Sequence, residues 1–566
     1  MTEKTVHEIL ERWEQRKSAR DQWEYHWQEL AEVMHPRRAD FTTAPTRGDK
    51  RTDQQFDSVP MLAARGLAAA VEGLLTPKNE HWFGLQVFDE EKADNELDDE
   101  SKRWIEDTED RMWTAIYDPP ARFVKAFAEA YLDLVTFGTA VVFMGERRDM
   151  SGLTFRALHL RDTYIATNHE GEVDTVFMVE ELTAPQAERK FGDRAMLGDQ
   201  TRQALDDNDR QSKFPFLQAV TPRTDVPKGV IATRMPFASI TIDVKSRHEV
   251  GESGYNEFPF AVMRWDTASG EDYGRSPGML ALPDAKTLMQ MGKTLLEAGH
   301  KAVDPPWFAP SDSIASVPRT FPGGITYYDA EALQGSGINR PIFPAISGSN
   351  FPLAREMQND VREQIWNAFF KNVLNLPADR PQMTATEVIE RKQEFMRSIG
   401  PTLGRLEPDG PAAITRRVFG IMRRAGQFAP IPDGLRRRGV KFKYRSAIDR
   451  AIRQMEAAAL LRSTELLSPL AQTDPGMLDH YDTDRISRDV PEAVGMPQKW
   501  LRTQESVEQL REARAQAAAK AAEAEAAQQA LGTAIEAADK VPQLAEGLIG
   551  GEEAGLDSLL PEADEG

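Results

Sequence analysis

The sequence predicts a mainly helical α+β fold built from several structural units. Long segments with apolar residues at helical spacing occur at both ends and in the middle of the chain. Short apolar or alternating segments, which are typical of strands, cluster in about the first 270 residues. At 566 residues, the chain has room for about three or four units of ordinary domain size.

The composition excludes several classes of protein. Because the chain has no cysteine, it forms neither disulfides nor thiolate metal sites, and it suits a reducing cytoplasm. No apolar run approaches the roughly 20 residues that cross a bilayer, and residues 1–20 lack the apolar segment of a signal peptide. The formal net charge of -21 argues against tight binding to DNA phosphates. Either the protein does not contact DNA, or it surrounds DNA without gripping it.

The first part of the chain combines helices with strands. An amphipathic helix is expected over Val6–Met34, where Pro36 stops the pattern. Further helices are expected over Pro60–Leu75, Ser101–Ile116, Phe123–Leu134 and Pro185–Phe191. Strands are expected at His81–Val87, Thr139–Met144, Thr154–Leu160, Ser239–Val244 and Phe258–Trp265, with a hairpin over Tyr164–Val179.

The middle of the chain reads as two helices around a small excursion. A helix is expected over Leu282–Val303, and its small residues would let a neighbouring helix approach closely. Asp304-Pro305-Pro306 ends it. The segment Asp304–Asn350 is rich in Pro, Gly and Ser but contains aromatic residues, so we expect it to be ordered. A second helix is expected over Pro352–Phe370.

The remainder is predicted to be largely helical. A Pro-rich loop, Asn372–Met383, precedes the capping box Thr384-Ala385-Thr386-Glu387 and a helix to about Ile399. Further helices are expected over Pro411–Ala425 and Ser446–Ser468. Residues Gln498–Leu531 are rich in Ala, Glu and Gln, which favours a helix. From Gly550 the chain is acidic and expected to be disordered.

No motif predicts catalysis, a cofactor or a metal site. The chain lacks the phosphate-binding loop of ATP-driven motors, and Gly335-Ser336-Gly337 lacks the third glycine of a dinucleotide loop. The nine histidines show no metal-ligand spacing. The acidic cluster of Asp479, Asp482 and Asp484 lacks the glycine and glutamate of a calcium loop, which favours a solvated turn.

The sequence contains two basic clusters, and it allows two interpretations of their role. One comprises Arg436, Arg437, Arg438, Lys441, Lys443 and Arg445, and the other comprises Arg416, Arg417, Arg423 and Arg424 on an expected helix. Ion pairing between subunits, or a solvated face, is one interpretation. Contact with phosphates is the other.

The order of several phrases resembles that of the head-to-tail connecting (portal) proteins of short-tailed phages. The resemblance spans about residues 5–515, and it depends on order and spacing because no single phrase is diagnostic. The phrases are Trp23-Glu24-Tyr25-His26-Trp27 through Pro36, Phe56-Asp57-Ser58, Leu75-Thr76-Pro77 with Trp82-Phe83, Phe137-Gly138-Thr139, Tyr273-Gly274-Arg275-Ser276-Pro277, Met383-Thr384-Ala385-Thr386-Glu387-Val388, Phe442-Lys443-Tyr444-Arg445-Ser446, and Trp500.

The resemblance implies a portal-type subunit that assembles into a ring. Its map is an α+β wing at 1–275, a first stem helix at 276–303, a clip at 304–351, a second stem helix at 352–371, a channel loop and tunnel helix at 372–400, an inner wing and crown at 401–497, a crown helix at 498–535 and an acidic, disordered tail at 536–566. The ring, a dodecamer by the resemblance, would occupy a capsid vertex of the virion after assembly in the host cytoplasm.

The resemblance also implies partners. Double-stranded DNA would pass through the channel without sequence preference, and Lys371 and Arg380 would touch its phosphates. The clip would dock the terminase large subunit and later the tail adaptor or tail tube proteins, through Trp307, Phe308, Tyr327 and Tyr328. Capsid and scaffold proteins are the remaining expected partners, and no membrane is expected.

Two alternatives belong to other functional classes. The acidic composition and the Ala/Glu-rich C-terminal region would also suit a non-channel internal scaffold or core protein of the virion. An enzyme acting on nucleic acid is disfavoured because the usual metal and phosphate motifs are missing from the sequence.

Overall fold

The computed structural model describes residues 3–43, 48–53, 55–88, 99–147, 149–223, 235–311, 317–329, 342–344, 351–371, 399–436, 439–445, 459–464, 481–494, 496, 500–502 and 504–548. Two compact units divide the chain, Met1–Thr473 and Asp474–Gly566. The predicted mixture of helix and sheet is confirmed.

The first unit contains ten named helices and several small sheets among its described residues. They are α1 (Glu3–Met34), α2 (Val59–Leu75), α3 (Asp99–Tyr117), α4 (Phe123–Phe137), α5 (Ala184–Phe191), α6 (Asp199–Asp206), α7 (Pro277–Val303), α8 (Phe351–Ala368), α9 (Pro411–Arg424) and α10 (Asp433–Arg436). Residues 399–409 and 459–464 are also helical. None of the helices within these described ranges is long and apolar enough to span a membrane.

The strands form four sheets among the described residues. They are β1 (Phe83–Phe88), β2 (Thr139–Glu146), β3 (Leu153–Leu158), β4 (Thr163–Thr167), β5 (Val173–Thr183), β6 (Lys213–Pro222), β7 (Phe237–Asp243), β8 (His248–Tyr255), β9 (Phe260–Arg264), β10 (Trp307–Ser311), β11 (Ile325–Asp329), β12 (Phe343–Pro344) and β13 (Gly439–Tyr444). An antiparallel meander runs β4-β5-β6-β7-β8. The other sheets are β3-β2-β9, β1-β13 and β11-β10-β12.

Helix α1 joins two hydrophobic cores. Its N-terminal half buries Val6, Ile9, Leu10 and Trp13 against the meander, and its C-terminal half buries Trp27, Leu30, Ala31 and Met34 in the main core. Between them lies the buried Arg20. Its guanidinium donates to the carbonyls of Leu160 and Thr163 at 2.5 and 2.6 Å, and it stacks on the Tyr164 ring. The cation is therefore tolerated because its donors are satisfied.

The main core forms where α4 packs against α2 on one side and against strands β2 and β3 of the sheet β3-β2-β9 on the other. Helical spacing predicts an apolar stripe of Ala64, Leu67, Val71 and Leu74 on this second helix, and the first three are fully buried while Leu74 is half-buried. Burial of this kind contributes about 25 cal/mol per Å² of apolar surface. The core thus holds together elements that lie far apart in sequence.

The elements of the first unit that were not predicted are the helices α6, α10 and 400–409 and the strands β6, β8, β10, β11, β12 and β13. Strand β6 contains Pro215 and Pro222, and β8 contains Gly251 and Gly254, which are residues that weaken a strand pattern. Both strands nevertheless pair along their length within the meander. Tertiary pairing outweighs local propensity here. His81 and His159 were expected within strands, but each lies just outside one.

The second unit contains α11 (Thr483–Val494) and α12 (Gln504–Leu548). A helix was expected over 498–535 and disorder from 536, but α12 begins at Gln504 and continues to Leu548. Most residues from 536 to 548 are strong helix formers, which favours the extension, while Pro542 and Gly547 oppose it. The remainder of the predicted tail lies outside the described residues.

Candidate functional site

The helices α7 and α8 pack against each other, as the sequence predicted for this region. Helix α7 begins earlier than expected, at Pro277, because Ser276 caps it. The Ser276 hydroxyl accepts from the Met279 amide at 3.0 Å and donates to the Thr136 carbonyl at 2.7 Å. The cap therefore also fixes the start of α7 against the end of α4.

Two glycines from separate segments of the sequence lie in contact near the start of α7. Gly138 has a left-handed φ of 82°, and an added Cβ would overlap the carbonyl oxygen of Gly274. A Cβ on Gly274 would in turn overlap the carbonyl of Gly138. The Gly274 amide donates to the Thr139 hydroxyl at 2.8 Å. The close approach needs glycine on both sides, which brings Phe137-Gly138-Thr139 against Tyr273-Gly274-Arg275.

Residues 56–58, called here the attachment segment, hold both helices of the pair. Phe56 packs on Gly292 of α7, where an added Cβ would lie 3.1 Å from the Phe56 Cβ. The Asp57 carboxylate receives Arg362 of α8 at 2.8 Å and the Val59 amide at 2.9 Å. Gly292 lies eleven residues before the end of α7 and Arg362 eleven residues after the start of α8. The two helices therefore run antiparallel at matched levels.

The small residues predicted to line a close helix contact behave differently from one another. Gly292 is buried but receives the attachment segment rather than a helix. An added Cβ on Gly299 would meet nothing within 4 Å, and Ala302 is exposed. Within one chain, Gly292 and Gly299 therefore do not receive a neighbouring helix, and close approach of a helix from another copy stays a prediction.

A small mixed sheet lies between α7 and α8 in the chain. The central strand β10 pairs in parallel with β11 and antiparallel with β12. Trp307 is opposite Ile325, and Ala309 is opposite Tyr327, so these side chains share one face. Trp307 and Tyr327 are 38% and 44% exposed. The four predicted docking residues thus divide between two faces.

The opposite face of this sheet is better covered. Phe308 is paired with Thr326, which is buried, and Phe308 and Tyr328 are half-buried. The Thr326 hydroxyl accepts from the Arg319 amide at 2.9 Å. Phe308 and Tyr328 therefore contribute to the packing of the sheet, whereas Trp307 and Tyr327 are the more exposed aromatic residues.

Lys371 follows α8 and lies against an aromatic ring. Its ammonium nitrogen is 3.5 Å from the centre of the Trp366 ring, a cation–π distance. The chain reaches it through Phe370, whose positive φ of 59° follows the end of the helix. Arg380, the other residue expected to touch phosphates, lies outside the described residues, as does the capping box at Thr384.

The basic cluster on α9 is partly neutralised within the chain. Arg417 is buried and pairs with Glu257 at 2.7 Å, and Arg424 pairs with the same carboxylate. Gly420 leaves room for Glu257, because an added Cβ would overlap the carboxylate. Burial lowers the pKa of Arg417, and Glu257 opposes that shift. The interpretation of these two arginines as subunit contacts or phosphate contacts is therefore corrected to an internal ion pair.

The second basic cluster lies on an antiparallel ribbon. Strand β13 pairs with β1, with Lys441 and Lys443 exposed on one face. The Arg445 side chain passes over Gly84, where a Cβ would overlap it, and pairs with the buried Glu109 at 3.1 Å. Burial raises the pKa of Glu109, while Arg445 opposes the rise. Arg445 is structural, whereas the exposed lysines keep both original interpretations open.

The acidic cluster was expected to form a solvated turn, but Asp482 caps α11 and Asp484 lies in the first turn of that helix, with both side chains exposed. The Asp482 carboxylate accepts from the Arg485 amide at 3.0 Å, and Asp484 pairs with Arg511. Asp479 lies outside the described residues. In the ranges that the structure describes, no group of three or more His, Asp or Glu side chains could hold a metal ion.

A buried titratable pair lies beside the end of α1. The Asp133 carboxylate accepts from Arg38 at 3.0 Å, and His35 lies 3.8 Å away. Burial raises the pKa of Asp133 to about 6, against the opposing effect of Arg38. Burial and then the Arg38 charge lower the pKa of His35 to about 3. Sequence periodicity gave no signal for this pair.

Comparisons with known proteins identify the family. The family model described as bacteriophage head to tail connecting protein matches residues 6–501. The portal protein of Salmonella phage epsilon15 is 26% identical over 525 residues, covering 92% of this chain and 92% of that protein. A probable portal protein of Bordetella phage BPP-1 is 28% identical, covering 88% of this chain and 89% of that protein.

A solved structure was also found, described as the virion of native gene transfer agent (GTA) particle. One of its chains has a TM-score of 0.34 and 12% identity, covering 76% of this chain and 91% of that chain. This weak likeness carries no weight in the assignment. The assignment rests on the family match, because that match spans α7 and α8, the attachment segment and both glycine-containing segments of the sequence. The chain belongs to the bacteriophage head to tail connecting protein family.

Proposed function

We propose that this protein is a phage portal protein, which forms the channel at one capsid vertex through which double-stranded DNA is packaged and ejected. The observation that carries the proposal is the family match over residues 6–501. A portal protein and a probable portal protein from two phages, similar to this chain over most of their length, support it. The protein acts as a conduit and not as an enzyme, so a separate terminase supplies the ATPase.

The proposed map assigns each region a place in the ring. Residues 1–275 form the wing, and 276–303 and 352–371 form the two stem helices. Residues 304–351 form the clip, 372–400 the channel loop and tunnel helix, 401–497 the inner wing and crown, 498–535 the crown helix and 536–566 the tail. The packed helix pair with a small sheet in its connection supports the stem and clip assignments.

The proposed partners follow from this map. The clip docks the terminase large subunit and then the tail adaptor or tail tube proteins, and Trp307 and Tyr327 offer exposed aromatic surface for that contact. Lys371 and Arg380 touch passing DNA without sequence preference. Capsid and scaffold proteins surround the ring, which assembles in the host cytoplasm and remains in the virion.

The acidic composition suits passage of a polyanion. A channel that bound phosphates tightly would slow the duplex, whereas electrostatic repulsion would keep it centred. The net charge of -21 therefore supports a conduit more than a DNA-binding regulator.

Purification and imaging test the proposal directly. Twelve chains of 63.4 kDa give a ring of about 760 kDa, measurable by light scattering after size exclusion. Negative-stain micrographs should show an annulus with a central hole. A protein that stays monomeric at all concentrations, or forms a solid particle, would contradict the proposal. The solid particle would favour the internal scaffold alternative.

A further inference from the structure

The antiparallel ribbon of β1 and β13 is regular along its whole length. Its residue pairs follow one another without a bulge, and neither strand contains proline. Within the described ranges, neither strand pairs with a third one. A regular, unpaired strand edge is a template to which another extended chain can add. The ribbon therefore has two edges at which a further strand could pair.

The edge formed by β1 is closed at its centre. The Leu85 amide points away from β13 and donates to the buried Glu109 carboxylate of α3 at 2.6 Å. Glu109 also pairs with Arg445, which offsets its charge. The carboxylate occupies the place where a neighbouring strand would put a carbonyl oxygen, so a further strand does not fit at this edge.

The edge formed by β13 is open. Hydrogen-bonded pairs alternate with non-bonded pairs in an antiparallel ladder. Because the Leu85 amide points outward, its partner Phe442 belongs to a non-bonded pair, and so does Val440, two residues earlier. The amides and carbonyls of Phe442 and Val440 therefore point away from β1. In the described part of the chain, no hydrogen bond reaches the main chain of either residue.

The side chains of β13 divide into a basic face and an apolar face. Lys441 and Lys443 are exposed on one face. Val440 and Phe442 are half-buried on the other, where the Phe442 ring lies 5.3 Å from that of Phe419, centre to centre. Strand edges that resist pairing carry inward-pointing charges, prolines or bulges. Here the charges point outward and the inward positions are apolar, so the edge can accept a strand of matching character.

An added strand would place its side chains beside those of β13 in a fixed order. In antiparallel pairing, which is the more stable form, the residues opposite Lys441 and Lys443 would form non-bonded pairs. Side chains lie closest together in such pairs, so acidic residues suit both positions. The residue between them would share the face of Phe442 and suits an apolar side chain. The complementary sequence is therefore acidic, apolar and acidic over three consecutive residues.

Two other occupants fit this edge less well. A second copy of β13 would bring its lysines opposite those of the first copy, and like charges directly opposite each other are destabilising. A DNA duplex could contact Lys441 and Lys443 through its phosphates. Phosphate oxygens, however, carry no donor for the carbonyls of Val440 and Phe442. The main-chain groups therefore favour an extended peptide.

We infer that β13 binds an extended acidic segment of a partner protein, which adds to the ribbon as a third, antiparallel strand. Affinity comes from main-chain hydrogen bonds to Val440 and Phe442, and selectivity comes from Lys441 and Lys443. The binding site lies within one chain and needs no ring. Its test is therefore independent of the proposed function.

Synthetic peptides test the inference on the full-length protein. The probe is a fluorescein-labelled peptide of about eight residues with the central sequence Glu-Val-Glu, blocked at both ends. Fluorescence anisotropy should show saturable binding, and a peptide centred on Lys-Val-Lys should bind at least about tenfold more weakly. N-methylation of the central valine removes the N–H that donates to the Phe442 carbonyl. It should weaken binding at least about fivefold although the charge is unchanged.

Two variants of β13 test the two sources of binding separately. Lys441→Glu with Lys443→Glu should reverse the preference, so that the Lys-Val-Lys peptide becomes the tighter ligand. A variant that failed to fold could not gain affinity in this way. Val440→Pro removes an amide that points away from β1, at an edge position where proline is tolerated. It should weaken binding of the acidic peptide at least about fivefold.

The control carries the same change of net charge elsewhere. Arg416→Glu with Arg423→Glu reverses two exposed cations on α9 and should bind the acidic peptide within about twofold of the wild type. Amide hydrogen exchange, read by mass spectrometry over residues 439–445, locates the bound peptide. Saturation with the acidic peptide should slow exchange at Val440 and Phe442.

Several outcomes would overturn the inference. One is failure of the Glu-Val-Glu peptide to bind the wild type at about millimolar concentration. Another is equal binding of the N-methylated peptide, which would show attraction between charges without an added strand. Unchanged exchange over 439–445 would place the peptide elsewhere. Binding of a short DNA duplex that depends on Lys441 and Lys443, without binding of the peptide, would assign the lysines to phosphates. A wild type that binds the peptide but forms no rings would contradict the proposed function alone.

Discussion

Arg362 and Asp57 lie 305 positions apart in the sequence, yet two guanidinium nitrogens of Arg362 meet the same carboxylate oxygen of Asp57. The Nε and Nη2 atoms of Arg362 donate to Oδ2 at 3.0 and 2.8 Å. The Asp57 side chain is almost fully buried, while Arg362 is about one-third exposed. The contact fastens α8 to the attachment segment, which also packs on α7.

Replacement of Arg362 by Leu should therefore destabilise the subunit. The change keeps much of the side-chain volume but leaves the buried Asp57 carboxylate without its cation, which costs about 1–3 kcal/mol. Urea unfolding followed by circular dichroism measures the loss. Arg355→Leu, at an exposed position on the same helix, should change the free energy of unfolding by less than about 0.5 kcal/mol.

Gly138→Ala should be far more destabilising than Gly171→Ala. Both glycines have a φ near +82°, so both variants carry the left-handed cost of about 1–2 kcal/mol. Only at Gly138 would the new methyl also overlap a backbone carbonyl, while Gly171 has nothing within 4 Å. Thermal unfolding compares the two variants. Equal losses would show that the contact between Gly138 and Gly274 is not tight.

The pair Asp133 and His35 predicts an unusual pH response. The folded pKa of Asp133 is raised to about 6, so its contribution to stability declines as pH rises from about 4 to 6. The folded pKa of His35 is lowered to about 3, so its contribution rises with pH up to about 6.5. The two slopes oppose each other, and the wild type should show little dependence on pH from this pair between about 4 and 6.

Asp133→Asn should reveal the dependence of the unfolding free energy on pH that His35 contributes. Stability of this variant should fall by about 2 kcal/mol from pH 6 to pH 4.5, at about 1.4 kcal/mol per pH unit for one proton. Melting temperatures across that range, each referenced to the wild type, test this. The exposed Asp118→Asn should follow the wild type. A parallel decline in both variants would refute the assigned proton exchange.

Glu257→Gln should cost more stability than Arg424→Gln. Removing the carboxylate leaves Arg417 buried without a compensating charge, a loss on the order of 3 kcal/mol. Removing the more exposed Arg424 leaves the pair of Arg417 and Glu257 intact and should cost less than about 1 kcal/mol. Chemical unfolding of the two variants under one buffer condition gives the comparison.

Trp307→Ala with Tyr327→Ala should weaken docking of the motor or tail adaptor while rings still form. These side chains share the exposed face of the small sheet, so their loss removes contact surface more than packing. Phe308→Ala, on the covered face, should instead lower the stability of the sheet. Pull-down of the terminase with preassembled rings, alongside ring yield, distinguishes the effects. Unchanged docking would remove Trp307 and Tyr327 from the proposed contact.

Helices with a strong apolar period were predictable from the sequence alone. The buried positions of α2 recur every three or four residues, and the prediction differed from the observed helix by one residue. Strand β6 was missed because its prolines and mixed pattern obscure it, and only pairing with β5 and β7 reveals it. A helix can be predicted well from its local sequence pattern, whereas the formation of a strand depends on the strands that pair with it.

The candidate site was predictable only in part. The two stem-like helices and the aromatic residues between them could be located from periodicity and composition, because both are local properties. The pairing of Asp57 with Arg362, and of Glu257 with Arg417, joins distant positions without any spacing rule. Phe56-Asp57-Ser58 was noticed as a phrase, but nothing in the sequence indicated which elements it would touch.

Residues 56–58 touch both members of the helix pair, and this has a mechanical consequence. Neither helix can slide relative to the body without disturbing the fastening of the other, since Phe56 sits against α7 and Asp57 holds α8. A force applied at the sheet between the helices would therefore reach the body through both helices together, at this segment and at the contacts of α7 with α1 and α4 and of α8 with α2.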